Sequence, residues 1–115
     1  MDDALEMTLL FDYYGELLTD KQRACLDLRY NQDLSLGEIA QELGVSRQGV
    51  YDNLSRAETL LRNMEEKTGF LRRDEKVRSA AQQIIRAAEM LSASKDPEVG
   101  ELARQILAAA KELEE

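Results

Sequence analysis

Apolar residues return every three or four positions along almost the whole chain, the period of one face of an α-helix. From Asp2 to Leu18 the set is Leu10, Tyr14 and Leu17, with Phe11 and Leu18 beside them. Thr19 then opens TDKQ, a capping box in which the Thr19 and Gln22 side chains each satisfy the other's backbone N–H. A second helix therefore starts there, carries Cys25, Leu26, Leu28 and Tyr30, and ends near NQD. Ser35 opens a second capping box with Glu38, and a short third helix follows through Leu43. Gly44 supplies the left-handed residue that ends it. Ser46 caps a fourth helix that runs to about Lys67, with Val50, Leu54, Ala57, Leu61 and Met64 on one side and Gly69 as its stop. The spacing predicts a fifth helix over Arg73 to Ala93, with Val77, Ala81, Ile84, Ala88 and Leu91 on one face. Asp96 caps a sixth, and Pro97 takes its first position, where a missing N–H costs nothing. Its face is Val99, Leu102, Ile106, Ala109 and Leu113. No segment alternates as a strand does, so the pattern predicts an all-α fold of about six helices.

The stretch from Ser35 to Arg56 has the anatomy of a helix-turn-helix at about residues 36–57. Ala40 is small where the first helix must let the second pass close. Gly44 lies four residues on, where a positive φ is needed. Val50 packs back on the first helix, and Ile39, Leu43, Val45 and Leu54 complete a small core. An ordinary helical hairpin could use the same core residues. The segment SLGEIAQELGVSRQGVYDNLSRAETLLR resembles region four of bacterial sigma factors, especially the extracytoplasmic-function group, a winged-helix-like arrangement without the wing. The longer TDKQRACLDLRYNQDLSLGEIAQELGVSRQGVYDNLSRAE resembles the YlxM family of small helix-turn-helix proteins, most specifically at KQR, DLSLGEIA and SRQGVYDNL. The likeness spans about residues 1–70. It implies a DNA-binding regulator. It also implies a link to the signal recognition particle pathway, because the family's genes tend to lie beside those of the particle.

Charge complicates that implication. The chain has 115 residues and a net charge of -8. Residues 1–18 hold five acids and no base, residues 19–73 nine of each, and residues 74–115 nine acids and six bases. A neutral middle is not the basic footprint of a typical DNA-binding domain. With no histidine, the commonest general base and metal ligand are missing. No nucleophile motif, glycine-rich phosphate loop or metal-ligand spacing replaces them, so the sequence predicts a non-enzymatic protein without a cofactor or metal. Cys25 is the one cysteine. Its neighbours Lys21 and Arg23 could activate a thiolate, but Ala24 and Leu26 favour a core position. The acidic start MDDALEM is unlike a signal peptide, and no apolar run approaches a membrane span. A reduced, cytoplasmic setting is expected, without membrane insertion.

On the fourth helix, the side opposite the apolar stripe presents Gln48, Asp52, Ser55, Arg56 and Thr59, flanked by Arg47 and Asn53. Gln48 and Asn53 have the donor–acceptor pair that matches adenine, and Arg47 or Arg56 could reach guanine or phosphate. Ser46 and the helix amides could hold a phosphate oxygen, and Lys21 and Arg23 could add to the backbone contacts. Asp52 would repel phosphate unless it accepts from a cytosine amino group. DNA is thus one candidate partner, and a protein or structured RNA of the signal recognition particle is the other. Tyr13 and Tyr14 could stack on bases but suit packing better. The chain is read as a helix-turn-helix domain over 1–70, including the N-terminal helix, followed by a helical pair over 71–115. The 4-3 spacing in that pair is of the coiled-coil kind. Such helices could pack on the fourth helix of the same chain or on a second chain; because helix-turn-helix proteins often bind two-fold sites as dimers, a homodimer is expected, with Val99, Leu102, Ile106 and Leu113 as its dimerisation seam.

Overall fold

The computed structural model describes residues 3–114, so Asp2, the expected start of the first helix, and Glu115 lie outside the described residues. Among the described residues there are six α-helices: α1 (Asp3–Tyr14), α2 (Asp20–Leu26), α3 (Leu36–Leu43), α4 (Arg47–Thr68), α5 (Phe70–Ser92) and α6 (Pro97–Glu112). No strand occurs among the described residues. The chain divides into two compact units, the first ending at Gly69 and the second beginning at Phe70.

In the first unit α4 is the central element, and α1, α2 and α3 all pack on it. Its stripe of Val50, Leu54, Ala57 and Leu61 is buried as the spacing predicts. Met7, Leu10, Leu26 and Ile39 close on that stripe and are almost wholly removed from water. Tyr14 is also buried, and its hydroxyl reaches Glu65 Oε1 at 2.6 Å and Thr68 Oγ1 at 2.7 Å, tying the end of α1 to the last turns of α4.

Both capping boxes are formed. Gln22 N donates to Thr19 Oγ1 and Thr19 N to Gln22 Oε1. Ser35 and Glu38 make the same exchange. The Ser35 N–H and hydroxyl hold the Glu38 carboxyl below its usual range.

Three local expectations are corrected. Leu17 is not part of the buried face; it is 69% exposed. The first helix tightens into a 3₁₀ turn over Gly15–Leu17, which shifts the phase and turns Leu18 inward. The second helix does not keep its period to NQD but widens into a π-helical turn over Asp27–Asn31. There the Asp27 carboxylate accepts from the side-chain amides of Asn31 and Gln32 at 2.8 and 2.9 Å. Asp33 then takes a left-handed φ of 58° to bring the chain round to Ser35. The fifth helix starts at Phe70, not Arg73. Gly69, at φ 64°, ends α4 as one left-handed residue and the next residue is already helical, so no junction separates them.

Gly44 has φ 67°, and an added Cβ would meet nothing within 4 Å. The cost of a side chain here is therefore backbone strain alone. Gly44→Val is expected to lower stability by ~1–3 kcal/mol, and Gly44→Asn by less, because asparagine tolerates this region. Denaturant midpoints of the two variants measure the difference; equal midpoints would show that φ at this turn is not constrained.

Candidate nucleic-acid interface

The candidate surface begins where α3 meets α4. The Ala40 carbonyl accepts from the Gly44 and Val45 amides, so the chain reverses within three residues. Ser46 then accepts from Gly49 N at 2.9 Å and starts α4. With the first turn fixed by that cap and Val50 fully buried beneath it, the opposite side of α4 is held outward. Arg47, Gln48, Asp52 and Arg56 are exposed, and Asn53 and Ser55 are half-buried.

These residues separate into two neighbouring places. At the start of α4, Arg47 and Gln48 line a shallow depression with Leu36 and Tyr51. Two turns on, Ser55 and Arg56 line a second groove with Gln22, Thr59, Leu60 and Asn63, where α2 lies against α4. Asp52 lies between the two and accepts from Gln48 Nε2 at 3.1 Å. Its carboxylate is thus partly satisfied, and the Gln48 amide is already oriented along the helix. Lys21 is exposed on α2. Arg23 is paired with Asp20, so part of its charge is used locally.

Glu58 is the other acid on α4 near this region. It accepts from the Tyr30 hydroxyl, which ties its carboxylate to the turn that follows α2. Tyr30 is pushed up to about 12, first by burial and then by the hydrogen bond and negative charge of Glu58, with Arg29 and Arg62 pulling the other way. The folded state thus favours the neutral phenol over its ordinary value of 10.0. Its contribution is complete below pH ~10 and is lost as pH rises toward ~12, because the unfolded chain releases the proton first. Alkaline unfolding should therefore be steeper in the wild type than in Tyr30→Phe across that interval; superimposable pH curves would dismiss the coupling.

Tyr51 is the residue that the sequence pattern did not single out. It is 55% exposed, an aromatic on the first turns of α4 beside Arg47 and Gln48. Its position at about 40° from Arg47 around the helix was the available signal. Of the two tyrosines at the end of α1, Tyr14 is buried and Tyr13 packs edge-on against it with ring centroids 4.8 Å apart, as their packing role requires. Cys25 is wholly buried, and burial pushes its thiol up against the opposing pull of Lys21. That is the environment of an inert core thiol. Among the described residues no group of histidine, cysteine and carboxylate side chains could hold a metal ion, and no helix is long and apolar enough to cross a membrane.

Comparison with known proteins gives a consistent result. Residues 1–99 match the UPF0122 family model, described as "Putative helix-turn-helix protein, YlxM / p13 like". The UPF0122 protein of Thermoanaerobacter sp. (strain X514) is 45% identical over 115 residues, covering 99% of this chain and 96% of its own length. That of Halalkalibacterium halodurans is 46% identical over 96 residues, covering 84% of this chain and 88% of its own. That of Bacillus cereus (strain AH187) is 40% identical over 114 residues, covering 99% of both.

Proposed function

We propose that this chain, which belongs to the UPF0122 family of YlxM / p13-like helix-turn-helix proteins, is a DNA-binding regulatory protein that acts without catalysis in the cytoplasm. One observation carries the reading. The helix-turn-helix is built with both caps and the left-handed glycine, and the outer side of its second helix bears Arg47, Gln48, Tyr51, Asp52 and Arg56 in the open. That combination suits a helix laid in a major groove. Ser46, Arg47, Arg56, Lys21 and Arg23 are the phosphate-side contacts. Gln48, Asn53, Ser55 and Tyr51 are the base-side ones. A link to the signal recognition particle is supported by the family resemblance only.

The charge sets the expected strength. One copy offers about three or four cationic contacts, whereas strong binders make about six to ten. Binding should therefore be weak and steeply salt-dependent. Titration of labelled genomic fragments at two salt concentrations tests this, with Asp52→Asn as the companion variant. Asparagine keeps an oxygen for Gln48 and removes only the charge, so DNA of every sequence should bind several-fold more tightly. If the preferred site instead weakens by ~1–3 kcal/mol while other sequences gain, Asp52 reads a cytosine.

A second reading is favoured by the same Asp52 and by the few exposed cations around it. In it the helix-turn-helix is a scaffold and the outer side of α4 meets a protein or a structured RNA. Absence of salt-dependent DNA binding, together with loss of such a partner on substitution of Arg47 or Arg56, would select it.

A further inference from the structure

The second unit is a hairpin of α5 and α6, and its packing is unusual in where the large side chains lie. The residues buried between the two helices are small: Ala81 and Ala88 on α5, Gly100, Ala103 and Ala110 on α6. Five large apolar residues, Ile84, Leu91, Leu102, Ile106 and Leu113, are instead between 41% and 53% exposed. An alanine seam lets helices approach closely but buries little area, and the larger Val77, Ile85, Val99 and Leu107 beside it are only half-buried, so the hairpin has a small interior against which to set its ordering entropy.

The exposed residues are on one side. At about 100° per residue, Ile84 and Leu91 lie roughly 50° behind the Ala81–Ala88 seam of α5. Ile106 and Leu113 lie by the same angle behind the Ala103–Ala110 seam of α6, and Leu102 lies further round in that direction. Because the two helices run antiparallel, equal rotations in this sense turn both sets toward the same face of the hairpin. Ala80, Ala87 and Ala109 are exposed on that face as well; Arg73 continues the α5 row at its far end, but no charged residue interrupts the face from Ala80 to Leu91 or from Leu102 to Leu113. Rotation the other way from the seams passes the half-buried Ile85 and Leu107 and then reaches Gln82, Glu89, Arg104 and Lys111, all exposed. The hairpin is thus a layer with one polar side and one apolar side.

We propose that this apolar face binds the same face of a second copy of the chain, α5 of one copy over α6 of the other, forming a four-helix bundle. Three features of the face select that occupant. Its exposed stripes, Ala80-Ile84-Ala87-Leu91 and Leu102-Ile106-Ala109-Leu113, repeat one 4-3-4 spacing, so a two-fold axis brings matching rows together as an isologous contact requires. The five large side chains leave on the order of 400–500 Å² of apolar surface per chain, the size of the largest patch on a typical monomer, which is often functional. Two such faces, with their alanines and flanking stems, approach the ~1,200 Å² of the smaller stable interfaces. Finally, Lys76 flanks the α5 stripe and Glu112 the α6 stripe at the same end of the hairpin, far from the Ala93–Asp96 connection. Placing α5 over α6 of the other copy sets those opposite charges side by side, whereas α5 over α5 does not.

The pairing stands independently of what the first unit binds. Its test is sedimentation equilibrium of the full chain at micromolar concentration. The wild type should have about twice the 13.1 kDa mass of one chain, and Gln82→Glu on the polar side should leave it so. Leu102→Glu with Ile106→Glu should weaken the dimer by about 100-fold or more, with helical circular dichroism retained. Should the two glutamates unfold the hairpin, Leu102→Ala with Ile106→Ala decides, and it should weaken the dimer by at least about tenfold. A wild type of single-chain mass at every concentration would overturn the proposal, and would mean that the first unit or a different protein covers the face. A dimer indifferent to the substitutions that leave it folded would overturn it equally.

Discussion

Ile39→Ala is expected to lower the stability of the protein by about 2–5 kcal/mol, the range for a large-to-alanine change where the surroundings cannot collapse into the space. Ile39 is wholly removed from water. No other residue of α3 is as fully buried. That helix has eight residues, too few to be stable by itself in water. Its position depends on packing against α4 and on the Ser35 and Gly44 caps, and Ile39 is the main anchor of that packing. Chemical denaturation followed by circular dichroism measures the loss. A fall of less than about 1 kcal/mol would mean that α3 is held by its caps and turn instead. Because α3 sets where α4 begins, the proposed DNA binding by the surviving folded fraction should change as well, although Ile39 is buried away from the outer side of α4.

The second large effect belongs to the double variant Arg47→Ala, Arg56→Ala. Each arginine is exposed, one in each of the two depressions along α4. Each loss should reduce the salt slope by about one. With only about three or four contacts per copy at the start, losing two per copy should roughly halve the slope whether one copy or a pair binds, and weaken binding by on the order of a hundredfold or more at low salt. Neither arginine is buried, so the folded protein and its denaturation midpoint should be unchanged. Unaltered affinity and slope in a folded double variant would remove this face of α4 from the DNA reading. Lys21→Ala should show a smaller effect in the same direction, and Arg23→Ala a smaller one still, since Asp20 already pairs with Arg23.

The sequence by itself determined the helices and their signals, because these are local. A capping box is closed by residues three apart, a positive φ belongs to one glycine, and a buried stripe follows from 3.6 residues per turn. Thr19, Ser35, Gly44, Ser46, Gly69 and Asp96 therefore stand where their residue types require. The stripe Val50-Leu54-Ala57-Leu61 could be read directly, and with it the outward side of α4. Irregular turns were less legible. The 3₁₀ turn at Gly15–Leu17 and the π-helical turn at Asp27–Asn31 each change the rotation per residue, so a pattern extrapolated at constant period puts Leu17 on the wrong side.

What only the tertiary structure decided concerns residues far apart in sequence. Tyr30 meets Glu58 and Tyr14 meets Glu65 across separate helices, and no spacing rule joins them. Periodicity groups Ala81 with Ile84 and Ala88 with Leu91 on one face of α5, yet the alanines are inside and the larger residues outside. A helical face is more than 100° wide, and its spacing does not say which edge a neighbour will cover. That depends on how closely the partner helix approaches, which the small residues of α5 and α6 permit only along the alanine seam. The same limit applies to Tyr51: its ring is exposed because α3 passes beside the start of α4 without covering it, a matter of three-dimensional packing that a stripe of apolar letters does not contain.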